Sequence, residues 1–369
     1  MRTEREIAGF ALPFTLGILL SAYITLPSYL DNTLFYSLIP TITCIPLICL
    51  IHPAHLAWNE TKLITAIACA GLTCGLTVGI TGTLTAISGP GDLGHLWRLT
   101  NDIGNHIRNS IREIPFSDQE TNAVISALLT GDRSEIPPEI IRTFRNSGAS
   151  HILALSGLHL GIIYSILQKS SALIGNSIQA IRLRSTLIII VCSIYSMATG
   201  AGDSISRALL FIIIREAAKV WGRKISIGGI FFCALIIQLT HSPLSCRSAG
   251  FQLSYAAIAG IAFIFPYFNR LWNTDNQCFN PIARIWKSAA ISISCQLTTG
   301  PLAWLWFGAV PKYFLLTNLI AVPLAGLIIP TSLLTLTLHS FGICPDIITR
   351  ATECLVSTLT DALEIISSM

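Results

Sequence analysis

The sequence predicts an all-α polytopic membrane protein with about ten transmembrane spans plus outer-face amphipathic helices, and three observations carry that reading. Hydrophobic residues make up 52% of the chain and charged residues only 11%, against roughly 25% charged residues in soluble domains. The mean hydropathy is +0.66. Apolar runs of about 20 residues, the length a helix needs to cross the hydrocarbon of a bilayer, recur along the chain.

In chain order the expected spans are 7–26, 34–51, 63–88, 151–168, 186–201, 204–218, 225–240, 251–268, 288–309 and 314–340. The first has the basic start of a signal sequence but no small-x-small cleavage site, and reads as a retained helix. An even number of spans puts both ends on one side. Arg2, Arg5, Lys62, Lys169, Arg182, Arg184, Lys219, Arg223, Lys224, Arg270, Arg284, Lys287 and Arg350 then share a face, which the positive-inside rule makes cytoplasmic. Arg247 and Lys312 fall in short outer loops. This gives four segments: 1–88 with three spans, 89–150 on the outer face, 151–340 as the transmembrane core, and 341–369 as an amphipathic helix on the cytoplasmic side.

Within 89–150, Leu96, Leu99, Ile103, Ile107 and Ile111 recur at three- and four-residue steps, the pattern of a helix lying along the membrane surface. Pro137 and Pro138 suit a helix start and Gly148 a helix end, so 139–147 reads as a second short helix. The fifth and sixth spans are short and meet at Thr199-Gly-Ala-Gly-Asp203-Ser204. That junction reads as a broken or re-entrant helix pair, tolerated where irregular backbone faces protein or water.

The 11 Cys residues lie mostly inside apolar runs, and no two form a C-x-x-C pair. They read as small buried hydrophobes, with no metal and no cofactor assigned. Trp304 and Trp306 read as an interfacial belt.

Polar residues beside or within apolar runs are the candidates for function, because such groups usually line a bundle interior or a pathway. Gly131-Asp132-Arg133-Ser134 is either a helix-ending turn with an internal ion pair or a mouth at which Asp132 orients Arg133 toward a phosphate. His151 and His159 stand eight apart around Ser156-Gly157, open to three readings: a metal pair, a Ser-His nucleophile, or polar lining. Asp203 reads as an N-cap, with Ser204 beside it and Arg207 four residues on. Gln252, Gln296 and Asn318 are single amides in or near separate spans, either tying helices together or lining one cavity. Between Gly200 and Ser340, Arg207, Arg215, Lys219, Arg223, Lys224, Arg247, Arg270, Arg284, Lys287 and Lys312 face only Asp203, Glu216 and Asp275. That excess is compatible with a polyanion.

Taken in order, Ala127-Leu-Leu-Thr-Gly-Asp-Arg-Ser134, Phe144 to Ser150, His151-Ile-Leu-Ala-Leu-Ser-Gly-Leu-His159, Gly202-Asp-Ser-Ile-Ser-Arg-Ala208, Gly250-Phe-Gln-Leu-Ser254 and Asn318-Leu-Ile-Ala-Val-Pro323 resemble the membrane core of the ComEC family. The resemblance spans roughly residues 95–340 and implies an inner-membrane channel for single-stranded DNA in natural transformation. It makes 151–340 a competence-type channel core. It implies Arg133 and Arg207 as phosphate contacts, with Asp132, Ser134, His151, Ser156, His159, Asp203, Ser204, Gln252, Gln296 and Asn318 along the path. The implied partners are single-stranded DNA, membrane lipid, an outer-side DNA receptor, a separate nuclease and a cytoplasmic motor ATPase. Fuller members carry a soluble β-domain and a metallo-β-lactamase-like domain, and the chain shows neither an H-x-H-x-D cluster nor a G-x-x-x-x-G-K-[ST] loop, so no enzyme activity is expected. The rival readings are an intramembrane hydrolase using Ser156 and His159, and a carrier of a small anionic solute.

Overall fold

The computed structural model describes residues 2–21, 67, 71–72, 74–75, 94–175, 177–271, 281–343 and 345–369, and among them the secondary structure is helical, without strands. The helices are α1 (Arg2–Ser21), α2 (Gly94–Arg112), α3 (Gln119–Thr130), α4 (Pro138–Asn146), α5 (Ser150–Leu153), α6 (Gly157–Ser171) and α7 (Ile178–Ala198). They continue with α8 (Asp203–Val220), α9 (Ile227–His241), α10 (Ala249–Ala259), α11 (Phe265–Leu271), α12 (Pro281–Phe307), α13 (Phe314–Ser340) and α14 (Asp346–Ser367). The expected spans 34–51 and 63–88 lie almost entirely outside the described residues, as do Cys44, Cys49, Cys69, Cys278 and Cys344. Of the described cysteines, which read as mostly buried, Cys192 and Cys246 are buried, Cys74, Cys233 and Cys295 are half-buried, and Cys354 is exposed.

Three of the described helices are long and apolar enough to cross a bilayer: α7, the continuous Ala249–Leu271 rod, and α13. The chain is a membrane protein, and α7 shows how its sequence is arranged for lipid. Leu183, Leu187, Ile190, Val191 and Ile194 form an exposed row at three- and four-residue steps. Ser185, Cys192, Ser196 and Ala198 are turned inward. Small and polar residues at helix contacts with large apolar ones outside is the arrangement favoured where the surroundings are as apolar as leucine.

The fold divides into two units, residues 1–92 with 225–252, and residues 93–224 with 253–369. In the first, α1 packs on α9; Ala11, Phe14 and Ile18 are buried on one helix and Phe231, Leu235 and Leu239 on the other. The second unit is built around α3. Asp118 caps its start, Gly131 ends it in the left-handed conformation at φ 79, and residues from Ala123 to Leu129 are almost wholly buried. Around it Ile111, Phe144, Ile152, Leu153, Ala321, Ile328 and Leu359 close one hydrophobic core.

Three expectations change here. The stretch Gly94–Arg112 is one helix, but it does not simply lie on a surface: Ile111 is buried in the core and Gly104 seats against the carbonyl of Ala198 in α7. The C-terminal helix does not stay at one end of α13. Its Thr349, Thr352, Val356, Leu359 and Leu363 face is buried in protein, so it runs back along α13. Thr335 and Thr352 hydroxyls meet at 3.3 Å, and Tyr313 donates to the Met369 carbonyl at 3.1 Å. Residue 369 therefore sits at the Tyr313 end of α13, opposite Ser340. Third, the Thr199 to Asp203 junction is not a broken pair. It is a tight turn, with Gly200 and Ala201 at φ 86 and 46, between α7 of 21 residues and α8 of 18.

The short helix expected at 139–147 is α4, at 138–146, with Pro138 in its first turn. The rod from Ala249 carries a π turn at Gly260–Ile264, where Gly260 lies against the Ser294 carbonyl of α12. A glycine there lets two backbones approach as no other residue does.

The α2–α7 approach is open to a direct check. Gly104→Val places a branched side chain into the Ala198 carbonyl and is expected to cost about 1–3 kcal/mol or more, the range for overpacking. Thermal melting of the purified protein reads this, and an unchanged melting temperature would contradict the packing.

Candidate functional site

In the second unit the helical run is interrupted at Ala154–Ser156, between α5 and α6. Ala154 leaves the helix with ψ 125 and Ser156 is extended at φ −124, ψ 171, before α6 resumes at Gly157. A serine in that conformation ahead of a helix is a strong N-cap. The Leu158 amide donates to Ser156 Oγ at 3.3 Å, and the Ser156 amide donates to His159 Nδ1 at 3.2 Å. The two side chains thus cap α6 reciprocally, with histidine in the place glutamate or glutamine usually holds.

His159 is 0% exposed, whereas His151 is exposed and its Nδ1 lies 3.1 Å from the Gly148 carbonyl. The break separates them, so they do not share one helix face as an unbroken span requires. Ser156 Oγ and His159 Nδ1 are 3.1 Å apart, within the reach a nucleophile pair needs. That nitrogen already accepts the Ser156 amide, which leaves the ring proton on Nε2. Among the described residues Nε2 has no well-formed hydrogen bond, and no carboxylate orients it.

The Gly131 to Ser134 turn abuts this break. Gly131 lies against Leu155, and Arg133 Nε donates to the Leu153 carbonyl at 3.2 Å, satisfying one acceptor left over where α5 stops. Asp132 does not pair with Arg133, the internal pair that the four residues alone suggest. Its carboxylate accepts the Ser134 amide at 3.0 Å and faces Arg108 of α2 at 3.8 Å, while Arg112 pairs with Glu135 at 2.6 Å. The exposed Arg133 is left with the rest of its guanidinium uncommitted among the described residues. The Ser134 amide and hydroxyl, followed by Arg108 and Arg112, hold the Asp132 carboxyl below its ordinary 3.8.

The start of α8 stands beside the start of α6, with Gly157 against the Cβ of Ala208. Gly202, not Asp203, holds the cap position; Asp203 is the first helical residue and Ser204 the next, both near solvent, while Ser206 donates to the Ala201 carbonyl at 2.9 Å. Arg207 is 3% exposed, and the ionisable groups acting on it are Asp203 and Tyr255. Because α6 and α8 run parallel, their N-terminal dipole ends gather with Arg207 and His159 at one place. Two helix N-termini with a buried cation make that place attractive to anions.

The three amides have different surroundings. Gln252 belongs to the first unit and donates to the Cys246 carbonyl at 2.9 Å. Gln296 folds back beside Gly300 on its own helix. Asn318 is half-buried in the first turn of α13, its Oδ1 without a partner among the described residues, next to Thr317, which donates to the Ser147 carbonyl at 2.6 Å.

Sequence reasoning missed a second polar centre at the far ends of α6, α7 and α8. Glu216, 1% exposed, accepts from Tyr164 and Lys219 on one oxygen and from Ser185 at 2.7 Å on the other. Gln168 donates to the Tyr164 hydroxyl at 2.7 Å, and Arg215 and Lys219 lie over the Tyr164 ring at 5.9 and 5.6 Å. The available signal was an acid placed after the apolar run Leu209 to Ile214 with Lys219 three residues on. Also missed was Tyr195, whose hydroxyl donates to the Leu129 carbonyl at 2.7 Å and so fixes the end of α3 just before the Gly131 turn.

A family model described as "Competence protein" matches residues 128–369. ComE operon protein 3 of Bacillus subtilis (strain 168) is 25% identical over 211 residues, 57% of this chain and 25% of that protein. An uncharacterized protein, YcaI, of Escherichia coli (strain K12) is 27% identical over 229 residues, 60% of this chain and 30% of its own length. Competence protein ComA of Neisseria gonorrhoeae is 24% identical over 207 residues, 54% and 28% respectively. The chain thus spans well under half the length of these relatives. No solved structure matches it.

Two measurements test the site's construction. Glu216→Ala leaves Lys219, Tyr164 and Ser185 facing an empty acceptor and is expected to cost about 3–5 kcal/mol, against about 1–3 kcal/mol for Tyr164→Phe, read by thermal melting. The lowered Asp132 carboxyl contributes stability that is full above the ordinary carboxylate range and is lost as pH falls through the lowered value. Asp132→Asn should flatten the acid limb of a melting-temperature profile; an unchanged limb would exclude this role.

Proposed function

The chain belongs to the competence protein family, and from that premise we propose that it forms an inner-membrane channel carrying single-stranded DNA into the cytoplasm during natural transformation. The observation that carries this reading is the gathering, in a membrane protein of that family, of the α6 and α8 N-termini, buried Arg207 and buried His159 beside the exposed Arg133. A phosphate backbone is the ligand that helix N-termini and guanidinium groups recognise without reading sequence. Arg133, oriented through the Leu153 carbonyl, and Arg207 neutralise phosphates. Asp132 and Ser134 shape the turn that presents Arg133, and Asp203 and Ser204 the start of α8. His151, Ser156, His159, Gln252, Gln296 and Asn318 supply polar lining in this reading.

The matching family model and one relative, competence protein ComA, are both named for competence, which supports the same process for this chain. An outer-side receptor, a separate nuclease and a motor ATPase stand as partners of the proposal. A conduit is favoured over a hydrolase because Ser156 and His159 are both spent on capping α6. Such a cap is worth about 1 kcal/mol, so its loss weakens a conduit without abolishing it.

Complementation of a transformation-null strain tests the proposal. The unaltered protein is expected to restore uptake, Arg133→Ala and His159→Ala to lower the transformation frequency at least about tenfold, and Ser156→Ala to lower it less. Full activity of Arg133→Ala together with His159→Ala would overturn the proposed path, and complete loss with Ser156→Ala in a stably folded protein would favour the hydrolase.

A further inference from the structure

The end of the second unit opposite the candidate site carries an unusual surface. The last turns of α6, the first turns of α7 and the last turns of α8 come together there, as the bonds from Tyr164, Gln168 and Ser185 to Glu216 establish. Lys169, Arg182, Arg184, Arg215, Lys219, Arg223 and Lys224 all belong to this end. From 165 to 185 and from 212 to 224 the single acid is Glu216, and it is buried and matched to Lys219. The outward charge is therefore uniformly positive, with Lys169, Arg182, Arg215, Arg223 and Lys224 exposed.

Large apolar side chains stand among these cations. Leu173 is 93% exposed, Trp221 75% and Ile178 70%. Leu183, next to Arg182, begins the outward row that continues through Leu187, Ile190, Val191 and Ile194 along α7. The basic ring is thus continuous with the lipid-facing flank of a spanning helix. Basic side chains at the end of such a flank extend to the headgroup level, with tryptophan at the same depth.

We propose that this end of the α6–α7–α8 unit is a docking surface for anionic phospholipid headgroups. The exposed cations engage the phosphates while Leu173, Trp221 and Ile178 enter the acyl boundary. Single-stranded DNA offers phosphates too, but the apolar residues here are mostly aliphatic and adjoin the lipid-facing row, whereas nucleic-acid grooves pair cations with stacking aromatic rings. The surface lies apart from the residues of the proposed DNA path, so the two ideas stand or fall separately.

The test is native mass spectrometry of the purified full chain titrated with phosphatidylglycerol or phosphatidylcholine, alongside oligo(dT) binding by fluorescence anisotropy. The unaltered protein is expected to hold phosphatidylglycerol at least about tenfold more tightly, and the combined Lys169→Gln, Arg182→Gln, Arg223→Gln and Lys224→Gln variant to lose that preference. A matched variant elsewhere, Arg142→Gln, Arg145→Gln, Lys312→Gln and Arg350→Gln, should keep it. If the first variant does not fold, weakening of the unaltered protein's preference by high salt serves in its place. The proposal fails if the preference is absent or salt-insensitive, if the first variant keeps it, if the matched variant loses it equally, or if the first variant loses only oligo(dT) binding.

Discussion

The reciprocal cap between Ser156 and His159 is the interaction on which the rest of the candidate site depends. A helix interrupted within a membrane protein exposes backbone donors and acceptors that lipid cannot satisfy, at several kcal/mol apiece. The interruption at Ala154–Ser156 persists because each side is matched. His159 takes the Ser156 amide and Ser156 takes the Leu158 amide on one side, and Arg133 reaches from the preceding turn to the Leu153 carbonyl on the other. The residues that make the break possible are the same ones that give it a polar character. That economy links the Gly131 to Ser134 turn and the His151 to His159 stretch, which the sequence leaves as separate motifs.

The surrounding helices hold the break in place by polar contacts at both ends of one three-helix unit. At one end Tyr195 grips the Leu129 carbonyl and Gly157 lets α6 close on α8. At the other, Glu216 ties α6, α7 and α8 through hydroxyl, amide and ammonium donors. A buried carboxylate is tolerable only when its lone pairs are so matched. Because α6 and α8 run parallel, their N-terminal ends lie together beside the break.

How much of this was legible in the sequence varied with the physics involved. Hydrophobic length and proline position located α13 at 314–340 and α4 to within a residue, because both signals are local. The position of the break was not legible. Glycines around Gly200 suggested an interrupted pair there, yet left-handed φ at Gly200 and Ala201 builds an ordinary tight turn, and α7 begins well before 186 because Arg182 and Arg184 at its start did not end it. Meanwhile the capping signal at Ser156 was obscured by its partner, since histidine replaces the usual acid or amide. The roles of Glu216 and Tyr195 were not legible, beyond the local sign of an acid after an apolar run, because their partners lie 52 and 66 residues away. The C-terminal helix showed its amphipathic face plainly, but sequence alone does not distinguish a face meant for a membrane surface from one meant for α13.

Site-specific photo-crosslinking during DNA uptake tests the central claim most directly. A photoreactive residue replacing Ser204 in the first turn of α8, or His151 beside the break, is compared with one replacing Ile190 on the lipid-facing row of α7. The account predicts adducts with incoming single-stranded DNA at the first two positions and none at the third. Crosslinking to lipid alone at all three, in cells that still take up DNA, would contradict it.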